Sequence, residues 1–250
     1  MELLRTEGIT KSYQNRVIIR DVSIRLEEGE LVSLIGLSGS GKTTLLNILS
    51  GLVAPDSGRV LLSGKDITGQ PGQMSYMLQK DLLLEHKRVI DNAALPLVIR
   101  GMKKKEAREK ADPLFARFDL SGTQMLYPAQ LSGGMRQRVA LLRTYLGSSG
   151  GLILLDEPFS ALDMITRGQI HDWYLEMTER MKLSTILITH DVDEAIQLSD
   201  RIYLLTGSPG TISREIKIGV PRGERKEFSL QPEFMAYKRE IRDALAQENA

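Results

Sequence analysis

Leu31-Val32-Ser33-Leu34-Ile35-Gly36-Leu37-Ser38-Gly39-Ser40-Gly41-Lys42-Thr43-Thr44 decides the fold of this 250-residue chain. Its first five residues form a nearly continuous apolar run, bounded upstream by Glu28-Gly29-Glu30, and predict a buried strand. Beyond the glycines, Leu45, Ile48, Leu49 and Leu52 recur at helical spacing, and Gly51 is placed to stop the helix. Gly36 to Thr43 fits G-x-x-x-x-G-K-[ST] at every position, between a strand and a helix, which is the setting in which that loop holds phosphate. The glycines let the backbone curl until consecutive N–H groups and the positive end of the helix converge on phosphate oxygens. Lys42 is then expected to reach the β and γ phosphates of a nucleotide and the Thr43 hydroxyl to coordinate Mg²⁺, with Thr44 beside it in the first helical turn.

Further along, Gly151 to Leu155 and Thr185 to Thr189 read as two more buried strands, separated by a helical pattern from about Thr166 to Arg180; Ile202 to Leu205 is a fourth. Strands alternating with helices imply an α/β fold with a mostly parallel sheet covered on both faces. From Val89 to about Tyr145 the patterns are helical only, over Asp91 to Ile99, Lys104 to Phe118 and Met135 to Leu146. They predict a helical subdomain inserted into the core, with Lys103, Lys104 and Lys105 as a solvated helix start. Arg16 to Ile19 and Asp21 to Leu26 suggest antiparallel strands at one edge, and Ile212 to Ile218 alternates weakly. After Pro232, the residues Phe234, Tyr237, Ile241 and Leu245 make one apolar helical face suited to packing on the core. The expected organisation is one domain: an α/β core from 1–88 and 146–215, a helical part from 89–145, and a tail from 216–250.

Composition narrows the function classes. Lys and Arg number 33 against 32 Asp and Glu, a net charge of +1 that argues against a strongly basic nucleic-acid binder. With no cysteine, thiol catalysis, cysteine-ligated zinc and iron–sulfur clusters are excluded, and the usage suits a reducing compartment. Met1-Glu2-Leu3-Leu4-Arg5 lacks the basic start and apolar run of a signal peptide, and no apolar stretch approaches the roughly 18 to 20 residues of a membrane span, so the chain is expected to stay in the cytosol.

Two other segments carry chemistry. Leu152 to Leu155 runs into Asp156-Glu157-Pro158, which places two carboxylates at the C-terminal end of a buried strand, where open parallel sheets bind their ligands. Asp156 is suited to an outer contact with Mg²⁺, and Glu157 to polarising a water that attacks the γ-phosphorus. Leu131-Ser132-Gly133-Gly134-Met135 opens a helix and is either a cap or a second anion site for the γ-phosphate of a nucleotide held by another copy.

The order of these motifs resembles the ATP-binding subunit of an ABC transporter over essentially the whole chain: Tyr13, the phosphate loop, Gln79, Leu131 to Met135, Leu154-Leu155-Asp156-Glu157, Ser160-Ala161-Leu162-Asp163 and His190. The resemblance implies a P-loop ATPase that uses ATP and Mg²⁺ and works as a head-to-tail dimer. Ser132, Gly133 and Gly134 would then close over ATP bound by the opposite subunit, and Asp163 would cross the interface. It further implies that Tyr13 stacks on adenine, that Gln79 senses Mg²⁺ and the attacking water, and that His190 bonds the γ-phosphate, whereas His86 and His171 are incidental. The implied partners are transmembrane permease subunits at the cytoplasmic face of the membrane and, through them, an extracytoplasmic substrate-binding protein. Asp191 to Ala195, Asp200-Arg201-Ile202, Ser208-Pro209-Gly210 and the tail from Val220 to Ile241 are similar to the nitrate, sulfonate and taurine importers, and vitamin-precursor importers share the tail. Leu82 to Lys87 and Arg143 to Gly151 depart from that branch, and the alternatives are an exporter subunit and, after it, a soluble ABC ATPase without a transport role.

Overall fold

The computed structural model describes residues 1–148 and 151–247. The first half of the chain holds β1 (Glu2–Tyr13), β2 (Arg16–Val22), β3 (Arg25–Glu27), β4 (Leu31–Ile35), α1 (Lys42–Leu49), β5 (Ser57–Leu62), β6 (Lys65–Asp66) and β7 (Ser75–Met77). A helical stretch follows, α2 (Val89–Ala93), α3 (Leu95–Ile99), α4 (Lys104–Arg117) and α5 (Gly133–Gly147). The remainder is β8 (Leu152–Asp156), α6 (Met164–Met181), β9 (Ser184–Thr189), α7 (Val192–Leu198), β10 (Arg201–Thr206), β11 (Thr211–Lys217) and α8 (Pro232–Gln247).

The main sheet has the order β11-β10-β4-β9-β8-β7, parallel from β10 to β7 and closed by β11 antiparallel to β10. Its central strands are uniformly apolar because both faces are covered. Along β8 the two-residue period is explicit: Leu152 and Leu154 pack with α1, while Ile153 and Leu155 join the helical layer on the other side. The antiparallel strands expected at the N-terminus form a sheet of their own, β2-β1-β5-β6, with β3 also paired to β1. Leu4, Ile9, Ile19 and Val22 of that sheet share a cluster with Leu45, Leu46 and Leu49 of α1, so α1 lies between the two sheets. The segment Asp21 to Leu26 is not one strand: Asp21 takes a left-handed φ of 50° and the chain breaks between Val22 and Arg25.

Between β7 and β8 the described residues hold only helices and loops. The helix expected over Asp91 to Ile99 is two short helices meeting at Ala94, because Pro96 has no N–H to continue the first and suits the opening turn of the second. Ala107, Ala111 and Phe115 of α4 bury against Val139 and Leu142 of α5, in a cluster that reaches Leu31 and Ile153 of the sheet. Ser149 and Gly150, within the divergent stretch Arg143 to Gly151, lie outside the described residues, as do positions 248–250 of the tail. Toward the β11 end of that same face of the sheet α7 and α8 cover β10 and β11, with Phe234 and Ile241 buried and Tyr237 and Leu245 half-buried. Among the described residues no helix is long and apolar enough to cross a membrane.

Candidate active site

Parallel strands β4, β9, β8 and β7 end at one edge of the sheet, and each carries a site segment there: the glycine loop, His190, Asp156-Glu157 and Gln79 respectively. Two glycines of the loop are sterically required. A Cβ on Gly36 would stand 2.2 Å from the Leu205 carbonyl oxygen, and one on Gly41, at φ 97°, would stand 2.4 Å from Ile19 Cγ2. Gly41 caps α1 without a side-chain hydrogen bond, so no side chain competes for the donors of the first turn. Lys42 Nζ donates to the carbonyls of Gly36 at 2.7 Å and Leu37 at 2.8 Å. Burial holds the Lys42 ammonium below the usual lysine range, while the charges of Glu157 and Asp156 pull it back up.

The loop faces a cavity of about 530 Å³ lined by Ser38, Gly39, Gly41, Lys42, Thr43 and Thr44, and across from them by Asp156, Glu157 and His190. Gly36, Leu37 and Ser40 belong to the loop without lining the cavity; Ser40 is buried and Leu37 exposed. Asp156 Oδ2 accepts a 3.1 Å bond from the Tyr76 hydroxyl. Burial pushes the Asp156 carboxyl above the ordinary aspartate range; the Tyr76 bond and Lys42 oppose that rise, and Glu157 adds to it. Glu157 adopts a left-handed φ of 46°, with its N–H bonded to the Ile188 carbonyl at 2.8 Å. Such a backbone is rare for a residue with a Cβ and marks a position set by its surroundings. The Glu157 carboxylate is gripped from two sides: Oε1 lies 3.0 Å from His190 Nδ1, and Oε2 accepts from Gln79 Nε2 at 3.2 Å. Gln79 also donates to Ser160 Oγ at 3.3 Å.

A magnesium ion fits this donor set. The Thr43 hydroxyl and the Asp156 carboxylate are hard oxygen donors that line one cavity, the ligand type Mg²⁺ takes. Gln79 reaches the site through Glu157 and does not line the cavity. No cluster of three or more His, Cys, Asp or Glu able to hold a metal without phosphate occurs among the described residues.

The remaining site expectations fall elsewhere. Tyr13 stands at the end of β1, 44% exposed, with Lys11 Nζ 5.5 Å from its ring centroid; Ile18, not Tyr13, lines the cavity. Ser132 caps α5, accepting from the Met135 N–H at 3.3 Å, and together with the exposed Gly133 and half-buried Gly134 lies outside the cavity. Asp163 caps α6 through bonds from the N–H groups of Ile165 and Thr166, and beside it Met164 and Ile165 are 84% and 72% exposed. His171, read as incidental, is buried outside the cavity with Nε2 2.9 Å from Glu194 Oε1, whereas His86 is exposed. Tyr76, Ile18 and Ile188 gave no signal in the sequence, since each is an isolated side chain in a short or ordinary strand segment.

Comparison with known proteins gives the family of the chain. The chain is 38% identical to the formylaminopyrimidine import ATP-binding protein ThiZ of Halalkalibacterium halodurans, covering 99% of this chain and 98% of that one. It is 36% identical to the nitrate import ATP-binding protein NrtD of Synechocystis, covering 92% and 88%. It superposes on the dimeric, post-hydrolysis structure of the ATP-binding cassette MJ0796 bound to ADP and Pi with a TM-score of 0.73, at 28% identity over 88% of this chain and 100% of that one. Residues 19–160, from β2 through the loop that carries Glu157 and Ser160, match the ABC transporter family, and the chain belongs to that family as one of its ATP-binding cassettes.

Proposed function

We propose that the chain is the ATP-hydrolysing subunit of a membrane importer for a small nutrient, acting as a pair of copies beneath transmembrane permease subunits. One observation carries the mechanism: Glu157 is held between His190 and Gln79 across the cavity from the phosphate loop, while Ser132 and Asp163 stand outside it on exposed helix starts. The full-length similarity to import ATP-binding proteins supports the direction of transport, and their substrates, formylaminopyrimidine and nitrate, define the size class proposed for the cargo.

In this reading the loop N–H groups from Gly39 to Thr43 take the β and γ phosphates, and Lys42 turns its ammonium from the Gly36 and Leu37 carbonyls to them. Tyr13, with Ile18 at the cavity wall, meets the adenine. Bound Mg²⁺, held by Thr43 and Asp156 with Gln79 close by, would neutralise charge on the phosphate oxygens. Glu157 accepts the proton of the attacking water, and His190 fixes its Oε1 and turns toward the γ-phosphate. A single copy lacks a group to close over that phosphate. The second copy supplies it through Ser132, Gly133 and Gly134, with Asp163 crossing beside them, so ATP binds the closed pair better than the open one and drives closure. The exposed Met164 and Ile165 support burial of this face between copies. We assign 1–88 and 146–215 to the nucleotide-binding core, 89–145 to a helical part that transmits closure to the permease, and 216–250 to a C-terminal tail with a helix. The same reading places the subunit on the cytoplasmic face of the membrane, with an extracytoplasmic binding protein delivering cargo to the permease.

Ser132→Arg tests the arrangement. It leaves ATP binding by the monomer intact within about twofold and abolishes turnover, because a long cation obstructs only the partner's phosphate. Loss of ATP binding by the monomer would show that Ser132 serves its own nucleotide and would overturn the two-copy reading.

A further inference from the structure

The first turn of α6 is the meeting point of three segments. The start of α5 sits directly on it: a Cβ on Gly134 would lie 3.1 Å from Thr166 Cγ2, and one on Gly133 3.4 Å from Leu162 Cδ2. Arg167 Nη2 donates to the Leu162 carbonyl at 2.9 Å and closes the preceding loop onto the helix. The other end of the same guanidinium, Nη1, lies 3.3 Å from Asp191 Oδ2, the residue next to His190. Asp191 is itself fixed, because its Oδ1 accepts from the N–H groups of Asp193 and Glu194 and caps α7.

One turn further along α6, His171 makes a second rung to α7 through Glu194 Oε1 at 2.9 Å. His171 is 8% exposed and Glu194 4%, so both are withdrawn from water. The edge of the Phe159 ring packs on His171 with centroids 5.1 Å apart, two residues beyond Glu157. Arg167 and His171 are four apart on α6, and Asp191 caps α7 three positions before Glu194, so the two rungs are spaced along the seam between the helices. A single polar contact lets helices rotate or slide past each other; two, spaced by one turn of about 5.4 Å, fix both movements. A buried polar pair is a poor way to add stability and a good way to set registry.

We propose that Arg167 and His171 are positioning residues that join the two ATP sites of the pair, by locking the helix whose start faces the partner's nucleotide to the loop that presents His190 to the chain's own. The inference rests on the two-copy reading above. Seating of Ser132 and Asp163 on the partner's ATP orders the start of α6, and the rungs carry that order to Asp191 and His190, and so to Glu157. Without the rungs each site still binds ATP, but one no longer prepares the other.

The test uses the full chain and three variants, reading phosphate release against ATP concentration, nucleotide affinity by titration with a fluorescent ATP analogue, and thermal stability. The unmodified chain shows a Hill coefficient above 1, bounded by about 2 for two sites. H171L, which strands Glu194, lowers kcat by about 10- to 100-fold, the scale set by a misplacement of about 1 Å, and brings the Hill coefficient to about 1 with affinity unchanged. H171Q, which can still donate to Glu194, restores most of kcat and the cooperativity. R167K keeps the charge facing Asp191 but cannot hold the Leu162 carbonyl as well, so it loses cooperativity in a protein that folds even where H171L does not. Retained cooperativity in H171L or R167K overturns the proposal, as does a Hill coefficient of 1 in the unmodified chain. So does an equal loss in H171Q and H171L that tracks their melting temperatures, the result of a merely structural role. E157Q separates the two layers: if ATP dimerises it while H171L or R167K remains cooperative, the two-copy reading stands and only the rungs fail.

Discussion

Glu157→Gln is the sharpest test of the chemistry, because the structure makes it nearly isosteric. Glu157 Oε2 accepts from Gln79 and Oε1 lies 3.0 Å from His190 Nδ1, so a glutamine carbonyl keeps one of these contacts and the amide can keep the other. The φ of 46° is as accessible to Gln as to Glu, and the bond from the residue 157 N–H to the Ile188 carbonyl is unaffected. What disappears is a proton acceptor and one negative charge. Loss of a positioned general base lowers turnover by about 10²- to 10⁴-fold, which is about 2.7 to 5.4 kcal/mol on the barrier. Loss of the charge works in the opposite direction on binding, since Glu157 lines the same cavity as Lys42 and its negative charge would repel phosphate there. The variant therefore holds ATP at least as tightly and accumulates as an ATP-bound dimer. Steady-state phosphate release gives the first quantity, and light scattering behind size exclusion, with and without ATP, gives the second. A variant that retains more than about a tenth of kcat, or one that stays monomeric with saturating ATP, would refute the assignment of Glu157 as base between two copies.

Other perturbations follow from the same geometry. Lys42→Ala removes the one ammonium at the phosphate loop cavity, and calorimetric titration is expected to show ATP affinity reduced by about 10-fold or more, as for a lost charge-assisted bond. Gly36→Ala places a methyl 2.2 Å from the backbone oxygen of Leu205, which cannot yield as a side-chain tip could; chemical denaturation should show about 1 to 3 kcal/mol of lost stability together with weakened ATP binding. Asp156→Asn separates stability from function. The folded carboxyl has its pKa above the ordinary 3.8, so the folded chain holds that proton more tightly, and the associated stability is present below 3.8 and lost as pH rises through the folded value. At neutral pH the buried charge is a net liability, and the asparagine protein should melt higher than the unmodified one at pH 7, with the gap closing toward pH 4, while hydrolysis falls. A lower melting temperature at pH 7 would contradict the burial argument.

The legible part of this molecule is what a single segment announces by its own chemistry. Leu31 to Thr43 declares strand, loop and helix together because glycine spacing, a lysine and an apolar run are local properties. Leu152 to Glu157 is equally plain, because a uniformly apolar strand must be buried and two carboxylates at its end must then stand at the sheet's open edge. The N-terminal sheet was less legible. β1 pairs with three strands and so draws its stability from backbone partners, which leaves Thr6, Lys11 and Ser12 free to be polar and blurs the alternation. β7 is three residues long and gave no pattern at all, yet it delivers both Tyr76 to Asp156 and Gln79 to Glu157.

His171 shows what kind of residue local reading cannot weigh. Asp163 and His190 entered through the resemblance of their motifs to a known family, and Ser132 also through its place at a helix start, where loose backbone donors give a polar side chain something to do. His171 lies inside α6, and its meaning depends on Glu194, 23 positions away on another helix. The same holds for Arg167, whose role emerges only when Leu162 and Asp191 are both in view. Segments that touch ATP are thus written locally, in motifs. The parts that would make one ATP answer to another are written across helices, in pairs such as Arg167–Asp191 and His171–Glu194. A chain that works as the proposed two copies has reason to carry both kinds: the motifs supply a site that can hydrolyse, and the cross-helix pairs would make the timing of one site depend on the other.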